Sequence, residues 1–87
     1  MIGTVEDLIA EALFVSELQP SARPSCPEIQ SAVTRTVLRL GSDGCAAAVA
    51  AAFGDYPETA VPRMRWARDA IRHAYPAITA PRLTPTR

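Results

Sequence analysis

Between Gly44 and Phe53 the chain reads GCAAAVAAAF, ten residues with six alanines and no charge. Alanine is the best helix former, so this stretch is expected to be helical. A short helix that is apolar all round belongs at the centre of a bundle, where alanines let its neighbours approach closely. The chain is 87 residues long, enough for one domain with a modest core. Its aromatic residues are Phe14, Phe53, Tyr56, Trp66 and Tyr75, so aliphatic side chains must supply most of that core.

The flanking segments also read as helices, separated by proline and glycine. In TVEDLIAEALFVSEL, Thr4 is a natural N-cap, and Glu6 and Asp7 suit the positive end of a helix. Val5, Leu8, Ile9, Ala12 and Leu13 follow the spacing of one buried face. Phe14, Val15 and Leu18 fall off that stripe and form a candidate interaction surface, one that a homodimer contact would cover. QPSARPSCP has three prolines in nine residues and reads as a connector. Ser25 and Glu28 then form a capping box, with Pro27 harmless in the first turn. Ile29, Ala32, Val33, Thr36, Val37 and Leu40 line one face of this second helix, and Gly41 closes it.

Ser42 or Asp43 caps the alanine-rich third helix, which Gly54 ends. The fourth lies within residues 57–75, with Ala60, Met64, Ala67, Ile71 and Ala74 as its inner stripe. No useful strand-like alternation occurs. The expected fold is therefore an all-α bundle of about four helices over residues 1–75. Residues 76–87, PAITAPRLTPTR, read as a mobile tail.

Net charge is zero, and all nine basic residues are arginine. Residues 1–43 hold six acids against three arginines, whereas residues 44–87 hold six arginines against three acids. That asymmetry points to a basic face in the second half. The N-terminus lacks the positive charge of a signal peptide, and no run approaches the roughly 18 apolar residues of a membrane span. A cytoplasmic protein without membrane contact is expected. Cys26 and Cys45 stand near opposite ends of a helix about 20 Å long, too far apart for a disulfide, and should be free thiols. His73 is the only histidine, with no nucleophile arrangement, metal-ligand spacing or phosphate loop around it. The chain is not expected to be an enzyme or to hold a metal or cofactor.

One stretch says more. In AAAFGDYPETAVPRMRWARDAIRHAY, Ala50, Phe53, Gly54, Thr59, Ala60, Arg63, Met64, Ala67 and Arg68 match the outline A-x-x-L-G-x-x-x-G-T-V-x-x-R-L-x-R-A-R without insertion. Over about residues 45–72 the chain thus resembles the promoter-recognition region of bacterial sigma factors. The resemblance implies a helix-turn-helix formed by the last two helices, with Gly54 in the turn. It also implies a small DNA-binding or transcription-associated protein whose partner is double-stranded DNA. Arg63, Arg65, Arg68 and Arg72 would then meet phosphates or guanine edges, with Tyr56 and Thr59 near the entry.

Two departures from the pattern matter: Ala60, where a branched aliphatic is usual, and Pro62, inside the would-be recognition helix. If Thr59 caps that helix, Pro62 falls in its first turn and costs little. If Asp55 is the cap and Glu58 completes a box, the helix must kink at Pro62. The first arrangement is the one expected. The alternative function is a helical protein–protein interaction module, a dimerising adaptor that works through the first helix and the alanine-rich segment without touching nucleic acid.

Overall fold

A computed structural model describes residues 4–79. They form α1 (Val5–Val15), a short 3-10 turn at Pro20–Ala22, α2 (Cys26–Asp55), α3 (Pro57–Ala74) and a single turn, α4 (Pro76–Thr79). No strand occurs among the described residues. The all-α expectation holds. The segment expected to be a tail begins instead as the helical turn α4, and residues 80–87 lie outside the described residues.

The helix starts follow from their caps. The Asp7 amide donates to Thr4 Oγ1 at 3.0 Å, and the Thr4 amide donates back to the Asp7 carboxylate at 3.3 Å. The Ser25 box is built the same way, with the Ser25 amide 2.7 Å from Glu28 Oε1. Each box satisfies donors that the first helical turn leaves open.

Between residues 26 and 55 the two expected helices are one long element with a single break. Gly41 takes φ 73° and ψ 172°, and every other residue of α2 is helical. That backbone region is essentially closed to residues with a Cβ. The bend lets both limbs of α2, residues 26–40 and 42–55, pack around α1, and α3 packs against both α1 and α2. The core joins Ile9, Leu13, Ile29, Val33, Cys45 and Ile71 with the buried alanines Ala10, Ala12, Ala60, Ala67 and Ala74. Ala12 and Ala67 are wholly inaccessible.

Most of the expected inner stripes are buried or half-buried. Val5 is the exception and is exposed, because α1 turns a neighbouring face inward and buries Ala10 and Phe14 instead. The larger correction concerns residues 44–53. Cys45 is buried and Val49 and Phe53 lean on the core, but Ala46, Ala47, Ala50 and Ala51 face solvent. This limb is a flank of the bundle and not its centre. Contrary to the expectation that no run approaches membrane length, α2 is long and apolar enough by length and composition to cross a membrane, and 6% of its most apolar 18 residues are buried within the chain.

α2 and α3 are joined by Tyr56 alone, at φ −140° and ψ 61°. Gly54 stays helical and makes no turn. Neither Thr59 nor Asp55 caps α3: Tyr56 is the cap residue, and Pro57 fills the first helical position. α3 then runs through Pro62, its sixth residue. The first-turn placement is therefore wrong. Pro62 has no N–H to give the Glu58 carbonyl, and Glu58 is exposed, so water can serve that acceptor. Replacing Pro62 with Ala restores the bond and removes the ring clash, at a smaller entropic cost through the unfolded chain. A gain of about 1 kcal/mol or more in urea unfolding is expected. An unchanged midpoint would contradict this placement of the proline.

Candidate functional site

The four arginines of α3 assigned to DNA contact, Arg63, Arg65, Arg68 and Arg72, are divided by its helical spacing. Ala60, Ala67, Ile71 and Ala74 are buried, with Met64 half-buried among them. Arg63 stands at i+3 from Ala60 and i−4 from Ala67, and Arg68 stands at i+4 from Met64 and i−3 from Ile71. Both therefore sit on edges of the inner stripe, whereas Arg65 and Arg72 point outward. That distinction was present in the sequence as spacing. The partners at the edges were not.

Arg63 turns back onto the end of α1. Its Nε donates to the Phe14 carbonyl at 2.7 Å, and Nη2 donates to the Ser16 and Leu18 carbonyls at 2.9 Å each. The guanidinium lies 5.1 Å from the Trp66 ring centroid and 5.8 Å from that of Phe14. The last turn of α1 carries no basic residue of its own, so Arg63 supplies both donors and positive charge to its negative end. Burial lowers the pKa of Arg63 from its ordinary value, but a guanidinium remains charged in such a setting.

Arg68 donates to Asp7 at 3.2 Å, at the opposite end of α1, so α3 runs antiparallel to α1. The Thr4 backbone N–H, with Arg68 adding to it, holds the Asp7 carboxyl below its usual pKa. Arg72 pairs with Asp69 at 3.1 Å in an exposed contact of small energetic worth. Asp69 lies four residues beyond Arg65 on the same helix, yet its carboxylate is paired with Arg72. Among the described residues Arg65 makes no side-chain hydrogen bond or ion pair, and it is exposed. Tyr56 is exposed, and the Thr59 hydroxyl donates to the Tyr56 carbonyl at 3.2 Å. Of the six residues assigned to a DNA face, Arg63 is thus committed inside the fold and Arg68 is tied to α1. Tyr56, Thr59, Arg65 and Arg72 remain outward.

The three residues proposed as an interaction surface are also largely used up. Phe14 is buried, stacked on Phe53 with centroids 5.9 Å apart, and Val15 and Leu18 are half-buried against the core. Exposed apolar surface lies elsewhere. Leu38 is 82% exposed on the first limb of α2, and the four outward alanines follow on the second. Ala46, Ala47, Ala50 and Ala51 fall at i, i+1, i+4 and i+5, on one face, with exposed Gly54 continuing it. No charged residue lies between Asp43 and Asp55. The run was visible in the sequence. Its exposure depended on which side of the limb the core occupied.

An open groove of about 720 Å³ separates α1 from the start of the second limb, with Asp7, Glu11 and Asp43 among its lining residues. This side of the molecule is acidic and would repel a phosphate backbone. Cys26 is exposed and Cys45 is buried, and both are free thiols. Cys26 Sγ approaches the His73 carbonyl at 3.6 Å, and Gln30 donates to the Ala74 carbonyl at 2.7 Å, so the start of α2 covers the end of α3. Comparison with protein-family models, curated proteins and solved structures finds no match to this chain.

Proposed function

We propose that the chain is a helical protein–protein interaction module that docks a partner helix on the outer face of α2. One observation carries this: Ala46, Ala47, Ala50 and Ala51 are exposed together, in a limb with no charge between Asp43 and Asp55. The outer face of a solvated helix is ordinarily polar. Small side chains contribute little to binding lipid but let a second helix approach closely. A helix that lies on a membrane pairs bulky apolar residues with a cationic face, and the outer face of this limb has neither, because Val49 and Phe53 point to the core.

The rival is a DNA-binding helix-turn-helix formed by α2 and α3. It retains two outward arginines, Arg65 and Arg72, and the latter already faces Asp69. Two phosphate contacts correspond to a salt slope of roughly −2 in log affinity against log salt. A double-stranded DNA column at low salt separates the two. No retention is expected. With the wild-type chain as bait, a captured partner should be lost when Ala47 and Ala51 are both changed to Glu, substitutions at exposed positions that leave the core untouched. Retention on DNA that disappears in salt, and also in the Arg65→Ala/Arg72→Ala variant, would overturn the interaction module in favour of DNA.

A further inference from the structure

We propose that Gly41 is the hinge of a domain-swapped dimer, in which α2 straightens and residues 42–79 of one copy pack onto α1 of a second copy. Gly41 is the single non-helical residue within the 30 residues of α2. Returning that one residue to helical dihedrals joins the limbs into a rod about 45 Å long. The space beside the bend is open, since a Cβ at Gly41 would meet no atom within 4 Å. The bend is held by what the second half of the chain grips in the first.

Those grips all cross the hinge. Phe53 stacks on Phe14, Arg63 binds the carbonyls at the end of α1, Arg68 pairs with Asp7, and Gln30 caps Ala74. A straight α2 carries Phe53, Arg63 and Arg68 away from their own α1. Each of these contacts can be remade without change on a second copy, and the reverse exchange closes the dimer. In the wild-type chain the closed monomer prevails at low concentration, because glycine adopts the hinge conformation without strain and intramolecular closure has the higher effective concentration. The exchange uses contacts made within the chain and not the alanine face, so it stands or falls separately from the docking of a partner helix.

Gly41→Ala tests it. Alanine is strained at φ 73° and ψ 172°, and it favours the straight helix. The full-length variant is expected to sediment at twice the mass of the wild-type chain at a concentration where the latter is monomeric. In dimer assembled from mixed isotope-labelled and unlabelled chains, nuclear Overhauser contacts between Phe14 and Phe53 should be intermolecular. A folded monomeric variant would overturn the proposal, and so would a dimer whose Phe14–Phe53 contacts stay within one chain. Should the variant fail to fold, wild-type chain refolded from denaturant at millimolar concentration takes its place. A dimer with intermolecular Phe14–Phe53 contacts supports the hinge. Recovery of monomer alone, or of a dimer lacking those contacts, overturns it.

Discussion

Arg63→Ala is expected to lower the stability of the fold by about 3 kcal/mol, whereas Arg65→Ala should change it by less than about 0.5 kcal/mol. Arg63 makes three short hydrogen bonds, to the Phe14, Ser16 and Leu18 carbonyls, and a longer one of 3.5 Å to that of Leu13, at and just beyond the end of α1. A hydrogen bond from a charged donor contributes roughly 1.5–3 kcal/mol, but the three share one side chain and do not add. Arg63 is only partly buried, so water can enter the space left by truncation and recover some of the loss. What remains also includes the stacking of the guanidinium on Trp66 and Phe14. Urea unfolding of the two variants, side by side with the wild type, gives the comparison. Equal midpoints for both would show that Arg63 does not hold the end of α1. The result bears on function as well, since loss of any activity in Arg63→Ala would report a damaged fold before it reported a missing phosphate contact.

The largest single loss in the core is expected from Leu13→Ala, at roughly 2–5 kcal/mol. Leu13 is fully inaccessible and lies where α1 meets the other helices. Truncation removes buried methyl groups and leaves a cavity that the surrounding helices can only partly close. In a domain this small the loss is comparable to total stability, which for whole proteins is roughly 5–15 kcal/mol. The variant should therefore show a much lower thermal midpoint and a weakened cooperative transition by circular dichroism. A loss under about 1 kcal/mol would mean that the bundle collapses freely around the site, contrary to the complete burial of Ala12 and Ala67 in the same core.

Local rules account for what could be read from the residues alone. The starts of α1 and α2 are set by side chains three residues from the amides they bind, Thr4 with Asp7 and Ser25 with Glu28. The stripes Ile29–Ala32–Val33–Thr36 and Ala60–Ala67–Ile71–Ala74 repeat at the helical period, so burial on one side was legible. Gly41 announced a break because glycine alone enters its backbone region freely.

Tertiary structure decided the rest. Arg63 and Phe14 are 49 residues apart, and no local rule could assign the guanidinium to the open carbonyls of α1 rather than to solvent. Phe14 left the presumed surface because Phe53 was brought to it by the bend at Gly41. Pro62 is accommodated within α3 because buried Ala60 before it and buried Ala67 and Ile71 after it hold that helix against the core, overriding the local preference for a later start. The alanine run fixed a helix but not its depth. A face of methyl groups suits the interior or the surface equally, and only the number and placement of neighbouring helices determine which side is covered.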